Sequence, residues 1–236
     1  VLKSLKSLVK SINYVKKNNT NLNINLKVID DKSTKENLEK LKKILSDSKI
    51  EFDIINHNNL EHKDIIKDKK NEETYSNLSS LLKSFEIGKT LSDDLIYFVE
   101  DDYLHFESSL DEMVSSYERI SSQIERDLFI CPADYPYLYM SNEKTTLLIG
   151  SKRHWRTISK TLCTFMVSKK LIEKYWDNFF KTCIERNEPF EKHLNEIYKK
   201  EICISPVKSL SLHMTNINSS YGLSPFINYK SLWEEN

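Results

Sequence analysis

Two acidic clusters carry the strongest chemical signal in this sequence. Asp30-Asp31 follows LKVI, and Glu100-Asp101-Asp102 follows LIYFV. Adjacent carboxylates repel one another, and at the mouth of a buried strand water screens that repulsion poorly. A divalent cation removes it, and an all-oxygen donor set suits Mg2+ or Mn2+. The plainer reading is a solvated acidic turn. The position of the second cluster, directly after the most continuously apolar run of the chain, argues against that reading. In open α/β sheets ligands bind beyond the carboxyl ends of the strands. Both clusters are therefore candidates for such a site.

Those acids need a sheet behind them. Leu2, Leu5, Leu8, Val9, Ile12 and Val15 lie on one helical face. Residues 22–29 alternate apolar and polar, as a half-buried strand does. Ser33 and Glu36 have capping-box spacing ahead of a helix carrying Leu38, Leu41, Ile44 and Leu45. Residues 50–55 read as a strand, and 56–75 as an exposed, mobile excursion. A helix follows over 76–90. The run 95–99 has the look of a central strand covered on both faces. Ser109 and Glu112 form a second capping box, opening a helix to about residue 125. Strands are expected at 128–131, 145–149, 161–167 and within 202–212, with the basic-aromatic stretch KRHWRT between the second and third. Ser168 caps one further helix, and Pro189 stands where another begins. This alternation implies one α/β domain with a mainly parallel or mixed central sheet and helices on both faces.

Composition excludes several functions. Lys+Arg and Asp+Glu both number 35, so the formal net charge is zero, which argues against a nucleic-acid binder. The three glycines, Gly88, Gly150 and Gly222, are too scattered for a dinucleotide fingerprint or a phosphate loop. Any nucleotide must be held by side chains. Cys131, Cys163, Cys183 and Cys203 contain no C-x-x-C pair and sit in or near apolar runs. They read as buried reduced thiols, which suits a cytoplasmic protein. No apolar run is long enough to span a membrane, which leaves peripheral association at the membrane face open. The chain opens on Val1 and enters a helix pattern at once, as a piece cut from a longer protein would.

Four segments, in order, resemble the family-2-like glycosyltransferases with the GT-A fold, a Rossmann-like architecture. VIDDKST before an amphipathic helix resembles the family's V-x-D-D-x-S-T segment. LIYFVEDDYLHFESSLDEM resembles its second signature, a buried strand ending in paired acids. KTLCTFMVSKKLIEKY is similar to the strand and helix that flank the acceptor site. NEPFEKHLNEIYKK resembles the segment holding the catalytic carboxylate. Lys32 departs from the glycine or asparagine usual at its position. The resemblance implies a nucleotide-binding part at about 1–105, an acceptor-binding part at about 106–236, and a first strand preceding Val1. It further implies an inverting, metal-dependent transfer of sugar from a nucleotide-diphosphate sugar to a glycan or lipid-linked acceptor, as in polysaccharide biosynthesis. Asp30 and Asp31 would contact the base, and Asp101 with Glu100 the ribose. Asp102 and His213 would hold Mn2+ or Mg2+, and Glu191 would be the general base.

Other assignments stay open in the sequence. Glu191 is either that base or an acid placed by a helix dipole, and His213 is either a ligand or an ordinary half-buried histidine. Lys152, Arg153, His154, Trp155 and Arg156 either contact acceptor or donor phosphate, with Trp155 stacked on a sugar, or form a charged strand-edge turn. Asp134 either orients an acceptor or opens a proline turn. The carboxylates would equally serve a Mg2+-dependent phosphohydrolase or nucleotidyltransferase, and the fold a non-catalytic binding module.

Overall fold

A computed structural model describes residues 1–48, 50–68, 71–215, 217–224 and 226–236. Helix α1 (Leu2–Asn18) buries Leu8, Val9, Ile12 and Val15, the stripe its sequence sets out. A second, polar stripe is also buried. Ser7 Oγ accepts the His105 N–H and Ser11 Oγ the Leu110 N–H, each at 2.9 Å, so α1 anchors the chain just beyond the Glu100–Asp102 cluster.

Strand β1 (Asn25–Asp30), helix α2 (Lys35–Ser46) and strand β2 (Glu51–Asn56) follow, with β1 and β2 paired in parallel as a separate two-stranded sheet. The cap of α2 is Thr34, whose side chain accepts from Asn37 N, so the expected Ser33 capping box does not form. The stretch 56–75 is not wholly an exposed excursion. His57, Asn59, His62 and Ile66 are buried, a 3-10 turn spans Asn59–His62, and α3 (Glu72–Leu91) has already begun. Ser79 Oγ explains the burial of the histidines, since both rings bond to it at 2.8 Å. Residues 69 and 70 of this stretch lie outside the described residues.

Strand β3 (Leu95–Phe98), strand β4 (Tyr103–His105), helix α4 (Ser109–Ile124) and strand β5 (Phe129–Ile130) come next. Strands β6 (Leu147–Ile149), β7 (His154–Ile158) and β8 (Phe165–Ser168) lead to helices α5 (Lys169–Lys174), α6 (Trp176–Ile184) and α7 (Lys192–Ile197). Strands β9 (Cys203–Pro206) and β10 (Ser211–His213) precede the short helix α8 (Tyr229–Glu234), which the sequence reading missed. Six strands form one sheet in the order β3-β8-β5-β9-β7-β6. Only β5–β9 is parallel there, so the sheet is mixed and largely antiparallel. Of the two expected forms, the mixed one is found in this sheet, and a wholly parallel pairing only in β1–β2.

Two further expectations change. β3 is an edge strand of the six-stranded sheet, not a central one. Its faces are nonetheless both covered, Ile96 and Phe98 by the cluster around Phe85 and Phe165, Leu95 and Tyr97 by the cluster around Met113 and Trp155. Apolar continuity reports covered faces, not lateral neighbours. KRHWRT is an edge turn only in its first two residues, Lys152 and Arg153, which lie in the bend joining edge strand β6 to β7, whereas His154–Ile158 is β7 itself, hydrogen-bonded between β6 and β9.

Strand directions place the ends of β3, β5, β9 and β6 and the starts of β8 and β7 on one rim. Strands β4 and β10 form a separate antiparallel ribbon, pairing Tyr103 with His213. All four cysteines are free and buried, as expected of reduced thiols. No helix among the described residues is long and apolar enough to cross a membrane.

Candidate functional site

The rim beyond β3 gathers four of the sequence-predicted groups. The Glu100 N–H donates to Thr164 Oγ1 at 3.0 Å, and the same hydroxyl donates to Glu100 Oε2 at 3.1 Å. The Phe98–Phe165 register of β3 and β8 puts Thr164, one residue before β8, beside that turn. One residue pair later, the β4–β10 ribbon carries the chain's far end to the same place. Asp102 O accepts the Met214 N–H at 3.0 Å, and Asp102 Oδ2 lies 2.9 Å from His213 Nε2. His213 Nδ1 lies 3.2 Å from Tyr221 O, so that nitrogen carries a proton and donates it. The ring stacks on Tyr103 at 5.2 Å, and the Tyr103 hydroxyl pairs with that of Tyr135 at 2.6 Å.

Glu191 is the N-cap residue of α7, but its side chain makes no cap bond. Pro189 lies outside that helix, which starts three residues later than the proline suggested. Burial pushes the Glu191 carboxyl up to about 7, against the pull of His213. Burial also pushes Glu100 up to about 7, with the charges of Asp102 and Glu191 adding to it and Thr164 opposing. Burial alone would raise Asp102 and lower His213. His213 and then the Thr215 side chain outweigh it in Asp102, holding the carboxyl below its ordinary value, and the bond and charge of Asp102, with Glu100 and the Tyr221 carbonyl, hold the imidazole above its own. Three carboxyls and an imidazole are thus near enough for their charges to act on one another. Asp102 Oδ1 remains buried with no hydrogen-bond partner.

The other sequence candidates are placed as follows. Asp101 is exposed at the tip of the turn. Asp30 is 6% exposed and accepts the Ser33 N–H at 3.3 Å, so it holds its own turn together, whereas Asp31 keeps a buried oxygen, Oδ1, without a partner. Lys32 adopts φ 65°, the left-handed region that favours glycine or asparagine, which accounts for the residue usual at that position in the resembled family. Among the described residues no hydrogen bond or ion pair joins Asp30 or Asp31 to residues 100–102.

The proposed acceptor contacts are not open surfaces. Trp155 is fully buried, its Nε1 donating to Ser116 Oγ at 3.0 Å, so the ring has no free face for a sugar. Asp134 is 2% exposed. It pairs with Arg156, accepts Tyr139 Oη–H at 2.6 Å and the Lys208 N–H at 3.0 Å, and clamps the 134–139 turn to β7 and β9. Lys152 and Arg153 turn to Asp111 and Glu112 on α4, at 2.8 and 3.9 Å. Glu112 is no capping residue. It is 1% exposed and receives the Lys152 N–H and the Ser116 hydroxyl, while Ser109 Oγ bonds Leu210 O. Of this group only Lys152 and His154 are exposed.

Sequence reading missed Thr164, Tyr103 and Tyr221. Thr164 is recognisable only once β8 is known to pair with β3. Tyr103 and Tyr221 support His213 through stacking and a backbone carbonyl, neither of which leaves a motif.

No family model and no curated protein matches this chain.

Proposed function

We propose that this chain is a metal-dependent, inverting glycosyltransferase domain that moves a sugar from a nucleotide-diphosphate sugar to a glycan or lipid-linked acceptor. One observation carries the reading. Asp102, bonded to His213 through one oxygen and left with a buried, unpartnered oxygen on the other, lies within electrostatic reach of Glu100, and Glu100 within reach of Glu191, both carboxyls raised to about 7.

The residues fit a divalent cation. Among the described residues no group of three or more His, Cys, Asp or Glu forms a cage. Mg2+ commonly takes only one or two protein carboxylates and fills its shell with water and substrate phosphate, so a pair suffices. Asp102 Oδ1 is an orphaned acceptor, and His213, whose Nδ1 donates to Tyr221 O, would ligate through Nε2 on giving up the proton it shares with Asp102 Oδ2. The cation, when bound, stabilises negative charge on a leaving diphosphate.

The protein's own groups account for the rest. Glu191, raised to about 7, takes a proton from the attacking hydroxyl at its carboxylate, and a base of that proton affinity is well matched to neutral solution. Glu100, fixed by Thr164 through both its N–H and its carboxyl, orders the turn that presents Asp102. Asp31 offers its unpartnered oxygen to a donor group of the base.

UDP-, GDP- and dTDP-sugars, screened with Mn2+ for a rise in melting temperature, identify the donor by mass action. Transfer with that donor is expected to increase as pH rises through about 7, where Glu191 deprotonates. Glu191→Gln should retain donor binding and lose about 10²–10⁴-fold in transfer rate. Metal-independent donor affinity that is unchanged in Asp102→Ala would refute the metal role. Diphosphate release with no transfer to any acceptor would point to a hydrolase.

A further inference from the structure

His213 is held from two sides, and both holds lead to one loop. Tyr103 stacks on its ring at 5.2 Å, and Tyr221 O faces its Nδ1 at 3.2 Å. The Tyr103 hydroxyl pairs with that of Tyr135 at 2.6 Å, and the Tyr135 ring meets that of Tyr221 at 5.4 Å. The contacts close a circuit that runs from His213 through Tyr103, Tyr135 and Tyr221 and back to His213. Tyr103 and Tyr135 are fully buried. Tyr221 is the half-buried member, and its carbonyl is the part that meets the histidine.

That carbonyl belongs to the peptide joining Tyr221 to Gly222, so whatever places Gly222 places it. The loop from Ile217 to Leu223 closes tightly on itself. Ile217 O accepts the Leu223 N–H at 2.6 Å, Ser219 O the Gly222 N–H at 3.0 Å, and Ser219 Oγ the Tyr221 N–H at 3.2 Å. A Cβ on Gly222 would overlap the Ile217 carbonyl and stand 2.7 Å from Ile217 Cα, and all of these neighbours are backbone that no rotamer change can clear. Gly222 is buried and its φ lies outside the left-handed region, so the glycine serves close approach and not an unusual turn. Beyond the loop, Ser220 O accepts the Tyr137 N–H at 2.9 Å, and the Tyr221 ring packs on that of Tyr137 at 4.9 Å. Backbone and ring both pin the loop to the 3-10 turn Pro136–Tyr139.

We propose that Gly222 and Tyr221 are positioning residues for the metal-binding histidine. The missing Cβ of Gly222 lets the loop close, the Tyr221 ring anchors it against Tyr135 and Tyr137, and the Tyr221 carbonyl then fixes the plane of His213 so that Nε2 stays beside Asp102. From the reading above, on which it rests, the inference takes only that Asp102 and His213 hold a cation. A metal-ligating imidazole is commonly oriented through its other ring nitrogen, and losing that partner typically lowers metal affinity about 10–100-fold. A side-chain substitution cannot delete a carbonyl, which makes Gly222 the position through which this contact can be moved.

Two readouts on the whole chain test this. The first needs no metal. The His213 Nδ1 proton, identified in proton–nitrogen correlation spectra by its absence from His213→Gln, should be protected from exchange in the wild type and lost in Gly222→Ala. The second is Mn2+ alone, titrated by calorimetry. Gly222→Ala should bind it about 10–100-fold more weakly than the wild type. Tyr221→Ala, which removes the anchor and leaves the backbone unstrained, should also weaken binding, and Tyr221→Phe, which keeps the ring, should recover it. Should Gly222→Ala fail to fold, Tyr221→Ala carries both readouts. A protected Nδ1 proton in the folded Gly222→Ala protein, or wild-type Mn2+ affinity in Gly222→Ala or Tyr221→Ala, would overturn the proposal. A wild type that binds no Mn2+ would defeat the cation site instead, and the Nδ1 proton alone would then decide whether Gly222 places the ring.

Discussion

Asp134, at the end of β5, and Asp102, at the turn after β3, are acids on the same rim with opposite circumstances. Asp134 is 2% exposed and both its oxygens are engaged, by Arg156, Tyr139 and the Lys208 N–H. Asp102 shares one oxygen with His213 and keeps the other buried and unpartnered, beside a Glu100 that holds its proton up to about 7. A buried carboxylate whose lone pairs are all taken acts as a joint in the fold. One left short of partners, among others that resist ionising, is prepared for something that is not protein.

The contrast can be broken most forcefully at the joint. Asp134→Ala strands the Arg156 guanidinium and should cost about 3–5 kcal/mol in urea denaturation. A loss under about 1 kcal/mol would make Asp134 no more structural than a surface ion pair. Glu100→Gln should have the opposite sign. A carboxyl raised from 4.5 to about 7 binds more protons folded than unfolded, so stability falls as pH climbs through that window and stays low above it. The glutamine variant should therefore be about 3 kcal/mol more stable than wild type well above pH 7 and equal to it below pH 4.5. Equal denaturation midpoints at every pH would remove Glu100 from the strained group. The smallest effect is expected at Thr164→Val, which removes the hydroxyl that opposes the rise in Glu100. It should cost about 0.5–1.5 kcal/mol and move the Glu100 titration, followed by carboxyl NMR, upward from about 7.

How much of this could be read from the residues depended on range. Helix α1 was legible because its apolar stripe is local, and Ser168 was legible as a cap because it accepts from Leu171 N three residues on. The acidic turn after LIYFV was legible because a strand's end is a sequence event. Strand order was not. β3 pairs with β8, and β5 with β9, through contacts that leave no periodic trace. Charge misled at β7, where Arg156 looks like a surface residue and is buried because Asp134 is there to meet it. Of the adjacent pair, the resemblance puts Asp30 ahead of Asp31 as the contact to the base. Only the fold shows that the first is consumed by the Ser33 N–H while the second keeps an unpartnered oxygen.

The ribbon that joins β4 to β10 carries a lesson about biosynthesis. During translation the acidic turn emerges from the ribosome long before the strand bearing His213. Until strand β10 docks, Asp102 lacks its imidazole, and only Thr164 and the α1 serines beyond the turn restrain it. The constellation is therefore completed only once β10 has been made, and a nascent chain halted before Ser211 would carry the acids without their counterpart.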